Sequence, residues 1–127
     1  MIPFRTEFEM LGLPAGKYAL FGSAQLAAKN LRPANDLDII VKLELWDDLL
    51  KRFPQHVRYN PQRIHIGNIE LFHDWMNLTS KIDEMIDNAE IIECLPHVRI
   101  EYLLEWKRHM KRPKDIVDIE MIEEYLR

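Results

Sequence analysis

Apolar residues along this chain fall in short blocks separated by Gly, Pro and Asn clusters, and the spacing within each block names its element. Residues 6–11 predict a short helix closed by Gly12 and Pro14. Residues 17–21 (KYALF) form a compact apolar stretch that stops at Gly22, as a buried strand does. Residues 24–31 are rich in helix formers, with Ser23 placed as N-cap and Arg32-Pro33 as the break. Residues 36–42 (DLDIIVK) predict a second strand, and 44 to about 53 a helix stopped by Pro54. Three short strands follow at 57–59, 63–66 and 68–72, with Asn60-Pro61 and Gly67 as turns. Ser80 opens a helix to about Asn88, and 89–94 (AEIIEC) reads as a further strand. Helices at 99–110 and 115–126 flank Arg112-Pro113, and in the last one Ile116, Ile119, Ile122 and Leu126 recur on one face that must dock. The pattern predicts a single α/β (α+β) domain over residues 1–127. It would have a small mixed sheet of about five strands with flanking helices, a core at about 15–95, and a C-terminal helical part of two helices at about 99–127.

Composition narrows the function classes. Hydrophobic residues make up 47% and charged residues 30% of the 127 positions, which excludes a disordered chain. With 17 Lys+Arg against 21 Asp+Glu the net charge is -4, so coating nucleic acid through bulk charge is excluded while a local basic patch is not. A single cysteine, Cys94, cannot form an internal disulfide; it is expected to be a small core residue in a reducing compartment. No apolar run approaches the roughly 20 residues that span a bilayer. Arg5, Glu7 and Glu9 occupy the place where a signal peptide needs apolar residues. The expected setting is cytoplasmic, away from membranes.

The informative stretch is Phe21-Gly22-Ser23-Ala24 followed by Asn35-Asp36-Leu37-Asp38. A strand feeds a Gly-Ser turn that opens a helix, where free N–H groups favour an anion and Gly22 lets the backbone come close to a phosphate. The Ser23 hydroxyl would add a hydrogen bond. On the next strand Asp36 and Asp38 share a face, about 6–7 Å apart, and repel unless a cation lies between them. Leu37, Ile39 and Val41 then point the other way into the core. Phosphate grip beside metal grip is what transfer from a nucleoside triphosphate requires. The bland alternatives are an ordinary capping turn and a solvated strand start. Nine aspartates generate about 0.6 chance D-x-D motifs, but four glycines and two serines only about 0.06 chance Gly-Ser pairs, so their conjunction carries the signal.

An apolar residue, Gly-Ser, a helix and then D-x-D with Ile39, Ile40 and Val41 resembles the nucleotidyltransferase superfamily with the DNA polymerase β-type core. Leu103-Leu104-Glu105-Trp106-Lys107-Arg108 and Arg112-Pro113-Lys114-Asp115-Ile116-Val117-Asp118-Ile119 are similar to the AbiEii-like branch, which includes toxin-type nucleotidyltransferases of toxin–antitoxin systems. The resemblance runs from Tyr18 to Leu126. It implies an enzyme that moves a nucleoside monophosphate from an NTP to an acceptor and releases pyrophosphate. Asp36 and Asp38 would hold Mg²⁺ or Mn²⁺, and Gly22, Ser23, Lys107 and Lys114 the phosphates. A third carboxylate from a later strand is implied too; Glu70, between Ile69 and Leu71, is the choice and Asp74 the runner-up. Unlike many relatives, the chain has no arginine soon after Gly-Ser, and Lys29 and Arg32 lie further along.

Lys107, Arg108, Lys111, Arg112 and Lys114 form a basic segment in an acidic chain. It reads either as a solvated helix end complementing its dipole or as a contact for triphosphate or a polyanionic acceptor. Asp115 would orient Lys114 or cap the last helix, and Asp118 is expected to be structural. The five histidines lack close metal-ligand spacing, and Trp46, Trp75 and Trp106 read as core rather than base-stacking platforms. The acceptor stays open between RNA, protein and a small hydroxylated molecule. Two rivals remain: a catalytically weak or inactive nucleotide-binding or antitoxin-like module with a protein partner, and a nucleic-acid-binding domain using the two terminal helices.

Overall fold

The computed structural model describes residues 4–127, so the first three residues of the N-terminal segment read above lie outside the described residues. The expected runs become β1 (Tyr18–Phe21), β2 (Leu37–Val41), β4 (Arg63–Ile66) and β5 (Ile69–Phe72), while β3 shrinks to Val57–Arg58. The run at 89–94 is half of a hairpin: β6 (Glu90–Ile92) and β7 (Leu95–His97) are joined by Glu93 and Cys94, at φ 52° and 68°. A two-residue turn with both φ positive matches the twist of the strands, but it usually advertises itself as Asn-Gly. Glu-Cys gives no such signal, and Pro96 argues against a strand. Cys94 is therefore an exposed turn residue, not the small core residue expected.

The strands form one mixed sheet of order β3-β4-β5-β2-β1-β7-β6, seven against the expected five or so, and the class is the α/β one read from the sequence. Six α-helices are described: α1 (Arg5–Glu9), α2 (Ser23–Ala28), α3 (Leu43–Arg52), α4 (Ile82–Asp87), α5 (Ile100–Met110) and α6 (Pro113–Leu126). Ser80 does not open a helix; it lies in a 3₁₀ run, Met76–Lys81, that leads into α4.

Apolar side chains cover both faces of the sheet. Leu37, Ile39 and Val41 project to one side against Phe8, Trp46 and Leu49, and each fully buried side chain of this kind contributes about 2 kcal/mol. Ile40 projects to the other side, against a cluster built from Leu78, Met85, Leu103, Trp106 and Ile122. The apolar stripe of α6 docks only in its middle: Ile122 is buried and Ile119 partly so, while Ile116 and Leu126 stay exposed. Asp115 and Asp118 are buried on α6 instead.

Register places the site. β1 and β2 are antiparallel with Phe21 opposite Asp38, so the turn that follows Phe21 lies beside Asp38. β2 and β5 are parallel with Asp38 opposite Glu70. Three elements distant in sequence thus meet at one end of the sheet.

Candidate functional site

At that end an open cleft of about 720 Å³ is bordered by Gly22, Ser23, Asp36, Asp38 and, from α6, Lys114. Gly22 sits at φ 80°, ψ −135°, a conformation L side chains rarely adopt, and a Cβ there would stand 3.6 Å from Asp38 Oδ2. The turn is tied to glycine by its backbone. Ser23 is not the N-cap expected; Gly22 holds that position and α2 begins at Ser23 with no side-chain cap. At six residues α2 is also shorter than the predicted 24–31, and so short a helix offers little dipole to an anion.

Asp38 is the electrostatic centre. Burial raises its carboxyl from an ordinary 3.8 to about 7, and the neighbouring charges of Asp36 and Glu70 push the same way, against a smaller opposing pull from Lys114. Asp36 is exposed and borders both the cleft and a smaller hollow of about 170 Å³ that also holds Glu70 and His65. Glu70 stands beside Asp38 on the adjacent strand, but its carboxylate is bound by Arg63, and His65 Nδ1 lies 3.5 Å from the same oxygen. A divalent cation would relieve both the repulsion between Asp36 and Asp38 and the burial of Asp38. Glu70 does not complete that pair as it stands. Among the described residues no group of three His, Cys, Asp or Glu side chains is arranged to ligate a metal. Asp74, the runner-up, lies beyond the end of β5 and does not border the cleft.

The basic segment divides. Lys107 borders the cleft, yet its ammonium is buried between Asp115 (3.3 Å) and Asp118 (2.8 Å). Arg112 closes a reciprocal cap with Asp115, whose carboxyl its hydrogen bonds hold down to about 2 despite burial. Asp115 therefore caps α6 and does not orient Lys114. Asp118, expected to be structural, borders the cleft but is held by Lys107 and by Arg32, whose hydrogen bonds keep it below the usual carboxylate range against its burial. Arg108 turns to Glu123 on the surface. Lys114 has no side-chain hydrogen bond or ion pair and borders the cleft near enough to Asp38 to pull its pKa down, so of the two lysines expected at phosphate only Lys114 is free to meet one.

Arg32 follows the Gly-Ser turn by nine positions, after the helix, which in the sequence sets it apart from an arginine placed directly behind that turn. The chain folds back so that its Nη2 donates to Ser23 Oγ at 3.1 Å. No signal in the sequence announces that reversal. Lys29 turns away instead, to Glu90 at 2.9 Å. Trp75 and Trp106 are buried and pack on Phe21 with ring centroids 4.6 and 5.7 Å from it, so they form the apolar floor of the cleft rather than open stacking surfaces. No helix is long and apolar enough to cross a membrane among the described residues. The chain matches no protein-family model, no curated protein and no solved structure.

Proposed function

We propose that the chain is a metal-dependent nucleotidyltransferase, moving a nucleoside monophosphate from an NTP to an acceptor and releasing pyrophosphate. The observation that carries this reading is the cleft lining, where Asp36 and Asp38 meet Gly22, Ser23 and the unpaired Lys114, and where burial beside Asp36 and Glu70 pushes the Asp38 carboxyl up to about 7. An isolated solvated strand start would not raise that pKa. In the proposed reaction the acceptor oxygen bonds to the α-phosphorus, the bond from that phosphorus to the bridging oxygen of pyrophosphate breaks, and the acceptor loses its proton. Ser23 and Lys114 hold the triphosphate tail, and Gly22 leaves it room. Asp36 and Asp38 hold Mg²⁺ or Mn²⁺, which supplies charge neutralisation to the polyphosphate when bound. Glu70 borders the smaller hollow beside the cleft, so it would take the acceptor's proton only once Arg63 and His65 release it and its carboxylate turns to the cleft.

The pairing of Glu70 with Arg63 favours a second reading, in which the chain binds nucleotide and turns it over weakly or not at all, as a regulatory module. One experiment separates the two. The protein is incubated with each α-labelled NTP, Mg²⁺ and a cell lysate, and labelled material is sought alongside calorimetric NTP binding. Transfer that disappears in Asp36→Ala, with thermal stability within about 0.5 kcal/mol of the parent because Asp36 is exposed, supports the enzyme. Binding without transfer supports the module. Undiminished transfer in Asp36→Ala removes the mechanism.

A further inference from the structure

The guanidinium of Arg32 is almost fully engaged inside the protein. Nε and Nη2 donate to the two oxygens of Asp118 at 2.9 Å each, and Nη1 donates to the Pro33 carbonyl at 3.1 Å. The remaining Nη2 proton reaches Ser23 Oγ at 3.1 Å. Four of the five N–H groups are used, so Arg32 cannot offer the two-pronged grip by which arginine usually binds phosphate. Arg32 itself borders the cleft, but its charge there is met by Asp118.

What Arg32 does to Ser23 is specific. A hydroxyl has one proton to donate and two lone pairs. With one lone pair of Ser23 fixed by a guanidinium donor, its proton must point away from Arg32, and polarisation by a charged donor strengthens it as a donor in turn. The Ser23 hydroxyl makes no other hydrogen bond, and Ser23 borders the cleft. Asp118 in turn is anchored by the buried Lys107 at 2.8 Å, so α6 braces a hydroxyl that belongs to the first turn of α2.

We infer that Arg32 is a positioning residue: it fixes the Ser23 hydroxyl as a hydrogen-bond donor to the phosphate chain of a nucleotide in the cleft, and acts on that ligand through Ser23 alone. The inference rests on the nucleotide reading above. Lys114 is the cation that meets the same phosphates directly.

The test is a double-mutant cycle read by calorimetry with the Mg²⁺ complexes of ATP, GTP, CTP and UTP and with inorganic triphosphate. Ser23→Ala and Arg32→Lys each weaken binding about tenfold, and the double variant binds no more weakly than either single one. Ser23→Thr, which restores a hydroxyl, recovers most of the affinity. Lys114→Ala combined with either variant multiplies the losses. A nucleoside lacking phosphates binds all variants alike, which a general loosening of the fold would not allow. Should Arg32→Lys fail to fold, Arg32→Gln takes its place in the cycle. Multiplying losses for Ser23→Ala and Arg32→Lys would overturn the inference, as would an Arg32→Lys protein of full affinity. If the parent protein binds none of the four nucleotides nor triphosphate, the nucleotide reading falls and this inference falls with it. Parent binding with uncoupled variants sinks the inference alone.

Discussion

Asp38→Asn replaces a carboxyl by an amide of the same shape, and the structure fixes what that does to stability. Asp38 is raised from 3.8 unfolded to about 7 folded, chiefly by burial and then by Asp36 and Glu70. Between those values the folded protein keeps a proton that the unfolded chain has lost, so stability falls as pH rises through the interval and is flat above it. The whole interval corresponds to about 4 kcal/mol. The variant carries no such penalty. Its advantage over the parent is near zero at pH 4 and grows to about 4 kcal/mol by pH 8. His97 runs the other way: burial lowers it from 6.5 to about 4, so protonation opposes folding and stability falls by about 3 kcal/mol as pH drops from 6.5 to 4. The two groups oppose each other in the same window, and the parent curve is correspondingly flat there. In Asp38→Asn the His97 slope is unmasked. Urea unfolding followed by fluorescence of the buried tryptophans, at pH steps from 4 to 8, reads the difference directly, since every other titrating group is common to both proteins. An advantage that is absent, or that does not change with pH, would refute the electrostatic account of Asp38. Mg²⁺ at pH 8 should raise the parent's stability and leave the variant's nearly unmoved.

Other outcomes follow from single contacts. Gly22→Ala forces an L side chain to φ 80°, ψ −135°, and should destabilise by about 1–3 kcal/mol in urea titrations. Lys107→Ala removes the partner that Asp115 and Asp118 share but leaves each its arginine, and should lose about 1–3 kcal/mol, whereas Lys114→Ala, which breaks no ion pair, should change stability by under about 0.5 kcal/mol and weaken triphosphate binding. Arg63→Ala releases the Glu70 carboxylate beside Asp38; Mn²⁺ affinity, read by electron paramagnetic resonance, should rise, and an unchanged value would mean that Glu70 takes no part in metal binding.

The strands that build the site were legible because their burial follows from apolar runs, and the Gly-Ser turn and Asp36-x-Asp38 were legible because they interrupt those runs. Leu37, Ile39 and Val41 face away from Asp38, as alternation requires. β7 was not legible: Pro96 and the Glu-Cys turn give the wrong local signals, and pairing with the fully buried β1 overrides them. The basic segment misled for a related reason. Charge density on a helix reads as a solvated face, yet Lys107 is buried because Asp115 and Asp118 come to it from the next helix. Periodicity records which residues avoid water, not which charges find partners in the interior. Arg32 was obscure on the same ground, its partners lying nine and eighty-six positions away.

The distribution of charge around the cleft supports a joint ligand rather than a simple one. Arg32, Lys107 and Arg112 are held by Asp115 and Asp118, three cations against two carboxylates, and Lys114 adds an unpaired charge to that group. Asp36 and Asp38 bring two negative charges to the same cleft whenever both are ionised. A lone polyanion gains from the first group and is repelled by the second. A lone divalent cation meets the reverse. A metal and a polyphosphate together satisfy both, and each lowers the electrostatic penalty that the other encounters. Their affinities must then be linked, by the same factor in either direction. Calorimetry should find Mg²⁺ weak without nucleotide, nucleotide weak without Mg²⁺, and the pair bound more tightly than the product of the two. Binding of triphosphate that is indifferent to Mg²⁺ would leave the paired aspartates without a role in ligand capture.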